Sequence, residues 1–120
     1  MNKKPNLIAD KTFDFALKTI DLYVELKKQN EYVLSKQLLR SGTSVGANVE
    51  EAFAGFSKRD FTAKMSIALK ESRGTRYWLR ILDKSKLVNG NFSSHINESE
   101  EIIRILTSIV KTSKERINQS

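Results

Sequence analysis

The chain has 120 residues, a formal net charge of +7 at pH 7 and no cysteine. This length predicts a single domain over residues 1–120, and the lack of cysteine excludes disulfides, thiol nucleophiles and thiolate metal sites. There is no run of about 18 apolar residues that could cross a membrane and no signal-peptide pattern behind the first lysines, so we expect a cytoplasmic protein without membrane contacts.

The composition favours an all-α fold, because the chain has one proline and five glycines and is rich in leucine, isoleucine, lysine, glutamate and alanine. Its positive charge is uneven: residues 1–60 have a net charge of +2 and residues 61–120 a net charge of +5. A local basic excess suits nucleic acid or another acidic partner. A basic surface with no special partner would have the same composition.

The first helix is predicted over residues 10–28, after a loose leader at residues 1–9. Apolar residues at three- and four-residue steps predict its core face, which comprises Phe13, Ala16, Leu17, Ile20, Tyr23 and Val24. A second apolar face on the opposite side comprises Phe15, Leu22 and Leu26. An acidic stripe between the two faces comprises Asp10, Asp14, Asp21 and Glu25.

The second helix is predicted over residues 31–54. Residues 41–46 have the composition of a loop, yet apolar residues keep one helical register through them, which predicts an unbroken helix. These residues are Leu34, Leu38, Val45, Val49, Ala52 and Phe56. Gly42 and Gly46 are too closely spaced for a phosphate-binding loop and no lysine follows them, so we interpret them as places where a neighbouring helix comes close.

The third helix is predicted over residues 58–84, with Ser57 and Asp60 as a variant capping box. At about 100° per residue its side chains separate into three faces. The core face comprises Phe61, Met65, Ala68, Ser72, Leu79 and Leu82. The basic face comprises Lys58, Arg59, Lys70, Arg73, Arg76, Arg80 and Lys84. The second apolar face comprises Ala63, Ile67, Tyr77, Trp78 and Ile81.

The fourth helix is predicted over residues 94–117, after a turn that contains Asn89-Gly90. It has one broad apolar face. Four helices of about 20 residues with short connections predict an up-down-up-down four-helix bundle.

The sequence offers little for catalysis or for binding a metal. A di-metal bundle site needs Glu-x-x-His pairs on facing helices, and the only histidine is His95. A nucleophilic serine needs a neighbouring base, for which His95 alone is a poor source. We therefore expect no enzymatic activity, no metal and no cofactor.

The second apolar face of the third helix predicts an interaction with a partner, since a monomeric amphipathic helix needs only one apolar face. Tyr77 and Trp78 could form a ligand box, but aromatic residues at helical spacing more often pack. We predict a homo-oligomer whose interface includes Phe15, Leu22, Leu26, Ile67, Tyr77, Trp78 and Ile81.

The basic face has three interpretations. It could bind phosphates of nucleic acid, pair with the acidic stripe of the first helix in the same or a neighbouring subunit, or remain a solvated surface. The sequence alone does not choose between them.

Two stretches of the chain resemble a known bacterial family. The first is Gln37–Ala52, with the sequence QLLRSGTSVGANVEEA. The second comprises Asp60-Phe61, Lys64, Ile67–Ser72 and Thr75–Leu79, in the same order and spacing. On these residues the chain resembles the four helix bundle proteins, also called 23S rRNA intervening-sequence proteins, from about Phe13 to Lys114.

The resemblance implies a four-helix bundle assembled as a barrel-like homopentamer, in a family not known for enzymes. Some members are encoded within large-subunit ribosomal RNA genes, and a related branch comprises nucleic-acid-binding accessory proteins of diversity-generating retroelements. This chain departs from the family at Gly74, where members often have glutamate, so any pairing by that glutamate does not carry over.

Together these points predict a cytoplasmic, non-enzymatic homo-oligomer that binds nucleic acid through its basic face, and the family resemblance implies that the oligomer is a pentamer. Structured RNA is favoured, with weak sequence specificity because no base-reading element is present. The alternative is a protein-protein interaction scaffold with no direct nucleic-acid role.

Overall fold

The structure is a computed structural model and describes residues 6–119. It contains four α-helices: α1 (Leu7–Lys28), α2 (Leu34–Phe53), α3 (Lys58–Ser85) and α4 (Ser93–Gln119). Residues 7–9, which the sequence assigned to a loose leader, form the first turn of α1, and residues 1–5 of that leader lie outside the described residues. α2 continues without a break through residues 41–46, as its apolar register predicted.

Side-chain caps fix where the helices begin. The Asn6 side chain accepts a hydrogen bond from the Ala9 N–H at 3.2 Å, so α1 starts earlier than predicted. The Glu31 carboxylate accepts hydrogen bonds from the backbone N–H groups of residues 33–35, the shortest from Ser35 at 2.6 Å. Glu31 therefore caps the N-terminus of α2, although it precedes the helix by three residues. Ser57 accepts from the Asp60 N–H at 3.1 Å, which is one half of the predicted capping box.

Successive helices are antiparallel, as paired contacts across each boundary demonstrate. Between α2 and α3, ion pairs join Arg40 to Glu71 and Glu51 to Lys64. A β-carbon added at Gly42 would lie against Thr19, and one added at Gly46 would lie against Thr12, so α2 runs opposite to α1. Between α3 and α4, hydrogen bonds join Thr62 to Ser113 and Arg76 to Glu100. The protein is therefore an all-α, up-down-up-down four-helix bundle.

The helices form a ring in which α2 lies between α1 and α3, and α3 lies between α2 and α4. The ring closes where α4 meets α1, and this contact is the least extensive of the four. Over residues 6–119, no Cα atom of α1 lies within 8 Å of a Cα atom of α3, because the two helices occupy one diagonal of the bundle. Side chains that point outward from α1 and α3 therefore face away from each other.

The core is an apolar column with buried hydroxyl groups along it. Fully buried side chains come from all four helices, among them Phe15, Leu38, Leu82 and Leu106. Thr75 donates to the Ser41 hydroxyl at 2.9 Å across the boundary between α2 and α3. Burying a polar group is tolerated when it is hydrogen-bonded, so this bond fixes the register of α2 on α3.

The two apolar faces of α1 are the reverse of the prediction. Phe15 and Leu26 are buried in the core, so these two residues cannot form a subunit interface, and Leu22 is half-buried against the core. The exposed face comprises Phe13, Leu17, Ile20 and Val24. The reason is steric, because the buried side of α1 also presents Thr12 and Thr19, whose small side chains fit against Gly42 and Gly46 of α2.

The predicted core faces of the other helices agree with the structure, with one exception. Met65, Ala68, Ser72, Leu79 and Leu82 of α3 are buried. Phe56, which shares the register of the α2 core residues, is fully exposed because α2 has already ended at Phe53. None of the helices in residues 6–119 has the length and apolar character needed to cross a membrane.

Candidate nucleic-acid interface

Helix α3 positions all seven residues of the predicted basic face, but in two groups. Arg73, Arg76, Arg80 and Lys84 follow one another at three- and four-residue steps, so they form one row along the helix. Lys70 extends this row by one turn. Lys58 and Arg59 lie about 17–18 Å from Lys70 along the helix axis, at 1.5 Å per residue, and so form a separate group at the start of α3.

Most of these cations are available to a ligand. All of them except Arg76 are exposed. Within residues 6–119, Arg76 is also the one member of the basic face that forms an ion pair. The free positive charge of the surface therefore comes from the other six side chains.

Arg76 is held by Glu100 of α4. Its Nε donates to Glu100 Oε2 at 3.0 Å, and its Nη2 lies 3.0 Å from the same oxygen. Both side chains are about one third exposed, at 36% each. A partly exposed pair of this kind stabilises a protein only modestly, so its role is mainly to orient the Arg76 guanidinium.

Arg104 of α4 belongs to this surface and was not predicted from the sequence. It lines a groove of about 390 Å³ between α3 and α4, together with Arg73, Arg76, Glu100 and Ile103. Arg104 was overlooked because it interrupts a run of isoleucines that indicates only the core face of α4. Its place beside Arg73 depends on the register of α4 against α3.

The acidic stripe of α1 does not neutralise the basic face within one chain. It lies on α1, which is diagonal to α3, and over residues 6–119 the Cα atoms of these two helices do not come within 8 Å of each other. Glu25 of this stripe pairs with Lys28 of the same helix at 3.0 Å. Pairing between the stripe and the basic face could therefore occur only between two chains.

Ion pairs do connect α1 to α4, at the contact that closes the ring. Lys11 lies 2.6 Å from Glu101, and Lys18 pairs with Glu98. The hydrogen bond from Lys11, followed by its charge, lowers the pKa of Glu101, and Arg104 adds to this effect. The hydrogen bond to Glu98, followed by its charge, raises the pKa of Lys18.

The second apolar face of α3 is only partly exposed. Ile67 and Tyr77 are 42% and 54% exposed, whereas Trp78 packs partly against the core and Ile81 is half-buried. Tyr77 and Trp78 contact each other edge to face, with ring centroids 5.4 Å apart. Of the predicted interface residues, Ile67 and Tyr77 are thus the ones best placed to meet another molecule.

One end of the bundle carries two adjoining grooves that the sequence did not indicate, each bordered by an exposed phenylalanine. A groove of about 580 Å³ lies between the start of α3 and the end of α4, and it includes Lys58 and Arg116. A second groove of about 470 Å³ shares Phe61 and Ile109 with the first. Exposed Phe53 borders the second groove and exposed Phe56 the first.

The fold and this surface define a class of protein: a small antiparallel four-helix bundle with a basic outer side. Comparison with family models identifies the family, because the model described as 23S rRNA-intervening sequence protein matches residues 4–108. The chain belongs to this family, which confirms the resemblance seen in its sequence.

A solved structure agrees with the family assignment. The chain is similar to a protein of unknown function from the S23 ribosomal protein family of Bacteroides thetaiotaomicron, with 44% sequence identity and a TM-score of 0.83. The match covers 88% of this chain and 99% of the other. No curated protein matches the chain.

Proposed function

We propose that the protein is a non-enzymatic homo-oligomer that binds structured RNA through its phosphate backbone. The observation that carries this proposal is the row on α3, in which Lys70, Arg73, Arg80 and Lys84 are exposed and have no ion-pair partner within residues 6–119. The family name, 23S rRNA-intervening sequence protein, is consistent with an RNA partner.

The row favours binding that depends on charge and tolerates many sequences. At 1.5 Å per residue it extends for about 21 Å from Lys70 to Lys84. Arginine and lysine neutralise phosphates and release the counterions that surround a nucleic acid. Contacts to phosphate fix position but do not read bases, so we expect weak sequence specificity.

The outer faces of α1 and α3 support the homo-oligomer. α1 presents an apolar stripe beside acidic residues, and α3 presents one beside basic residues. Because these faces differ and lie on opposite sides of one chain, an interface between them would be heterologous and would generate a ring if the rotation closes. The barrel-like homopentamer implied by the family resemblance is such a ring.

This assembly leaves part of the basic face for RNA. At 100° per residue the outer apolar residues Ile67 and Ile81 of α3 lie on a different side of the helix from Arg80. Arg73 and Arg76 instead lie toward α4, where they line the groove with Arg104. Subunit contact and phosphate contact therefore use different sides of the helix.

A double charge reversal tests the proposal. We expect Arg73→Glu combined with Arg80→Glu to weaken the affinity for a fluorescently labelled RNA hairpin by at least about tenfold, since each change replaces a phosphate contact by repulsion. The matched control is Lys36→Glu combined with Lys114→Glu, because both lysines are exposed and lie on other helices. Anisotropy measures the affinity, and sedimentation velocity measures the oligomeric state.

A protein-interaction scaffold is the second candidate, and the two grooves at the end of the bundle favour it because exposed Phe53 and Phe56 border them. The two candidates predict different results for the double reversal on α3. Weaker RNA binding by an intact oligomer supports the RNA proposal. A broken oligomer supports the scaffold, and an unchanged affinity contradicts phosphate binding by this row.

A further inference from the structure

The groove between α3 and α4 concentrates positive charge in a small space. Its volume is about 390 Å³, and its charged lining comprises Arg73, Arg76, Arg104 and Glu100, which gives a net charge of +2. Resting on the proposed function, we infer that this groove is a phosphate-binding subsite in which Glu100 occupies the place of the anion until a phosphate displaces it.

The bonds of Arg76 support the displacement. Its Nε and Nη2 atoms form one edge of the guanidinium, and both approach the single oxygen Oε2 of Glu100 at 3.0 Å. A phosphate presents two or more oxygens to the same edge and can accept two parallel hydrogen bonds, which is the stronger geometry. Arg76 would therefore gain a bond when a phosphate replaces the carboxylate.

Arg73 and Arg104 provide positive charge in the groove that Glu100 does not neutralise. Both are exposed, and neither forms an ion pair within residues 6–119. Arg104 also lies near Glu101, but the main partner of that carboxylate is Lys11. Three guanidinium groups around one groove repel one another, and one carboxylate compensates for only one of them, so an additional anion would be stabilised.

Because the Arg76–Glu100 pair is partly exposed, replacing Glu100 by a phosphate costs little free energy. Each side chain is 36% exposed, and ion pairs in contact with water contribute little to stability. After displacement, the Glu100 carboxylate can be hydrated in place. The ligand chemistry is a phosphate group, which an RNA offers either within the chain or at a 5′ end.

Two substitutions test the subsite, each with a matched control on α4. Glu100→Gln removes the competing charge, and we expect it to tighten RNA binding about threefold more than Glu115→Gln does. Arg104→Gln removes a phosphate contact, and we expect it to weaken binding at least threefold more than Lys111→Gln does. Lys111 is exposed about two turns further along the same side of α4, so it reports on general charge.

The binding assay uses one RNA hairpin with a 5′-hydroxyl and the same hairpin with a 5′-monophosphate. Equal effects on the two RNAs assign the subsite to internal phosphates, and effects limited to the second RNA assign it to the terminal phosphate. Circular dichroism checks that every variant remains folded. If RNA binds but the groove variants behave like their controls, the subsite is overturned while the RNA proposal stands.

A second measurement is independent of RNA. In a titration with inorganic pyrophosphate followed by NMR, we expect a saturable shift of the Arg76 Nε–H signal that Arg104→Gln weakens. Such a shift without any RNA binding supports the subsite and contradicts the RNA proposal. No saturable shift together with no RNA binding overturns both.

Discussion

Helices α1 and α3 lie on one diagonal of the bundle and use their two apolar faces differently. The inner face of α1 combines buried Phe15 with threonines that fit against glycines of α2. The inner face of α3 buries Met65 together with Thr75, which donates a hydrogen bond to Ser41 of α2. Their outer faces are both partly apolar, but the outer face of α1 lies beside acidic residues and the outer face of α3 lies beside basic residues. The close fit of threonines against glycines thus determines which face of α1 is buried, and charge distinguishes the outer face of α1 from that of α3.

The largest predicted effect comes from filling the close contact between α1 and α2. A β-carbon at Gly42 would lie 2.6 Å from Thr19 Cγ2 and 2.8 Å from Thr19 Oγ1, so Gly42→Val should lower the free energy of unfolding by about 3 kcal/mol. Urea denaturation measures the change. Thr19→Ala in the same chain should restore part of the loss, and full stability of the Gly42→Val protein would contradict the steric account.

The outer face of α1 offers the next largest effect. Leu17 is 48% exposed, so Leu17→Asp should leave the single subunit folded but weaken the proposed interface by about 2 kcal/mol, as for a central interface residue. Sedimentation at micromolar concentration should show smaller species than for Gln37→Asp, an exposed position on α2. A wild-type protein that is already monomeric would contradict the homo-oligomer itself.

A smaller effect of opposite sign is expected at the glycine of α3. A β-carbon at Gly74 would meet no atom within 4 Å, so Gly74→Ala should raise the free energy of unfolding by about 0.5–1 kcal/mol through helix propensity alone. The comparison is Gly42→Ala, which should destabilise under the same urea assay. Equal changes in the free energy of unfolding at both glycines would show that the close contact between Gly42 and Thr19 does not restrict side-chain size at Gly42.

The smallest effect concerns the ion pairs that join α1 to α4. Because Lys11 lowers the pKa of Glu101 below its ordinary value of 4.5, the pair stabilises the folded state above that pH and loses its contribution as pH falls through the lowered pKa. Glu101→Gln should therefore make stability less sensitive to acid. Thermal unfolding of each variant between pH 3 and 7 measures this sensitivity. If Glu101→Gln and the control Glu115→Gln lose the same stability on acidification, the ion pair does not contribute in this way.

Much of the fold could be predicted from the sequence because the signals are local. The N-cap at Ser57 and the apolar register through residues 41–46 each depend on neighbouring residues. The inner face of α1 could not be chosen in this way, since Phe13 and Phe15 both belong to apolar arcs. The choice depends on how Thr19 meets Gly42, and these two residues are 23 positions apart.

The candidate site was predictable only along a single helix. Helical spacing placed Arg73, Arg76 and Arg80 on one side of α3. The contribution of α4 was missed, because the Arg76–Glu100 pair and the position of Arg104 depend on the register between two helices. The sequence therefore predicted the charge of the surface but not the groove within it.

The salt dependence of RNA binding tests the central claim most directly. If the row on α3 contacts about five phosphates, the affinity of the wild-type protein for an RNA hairpin should fall by about a hundredfold or more between 50 and 200 mM salt. Anisotropy titrations at these two concentrations measure the change. An affinity that is the same at both would contradict binding through the phosphate backbone.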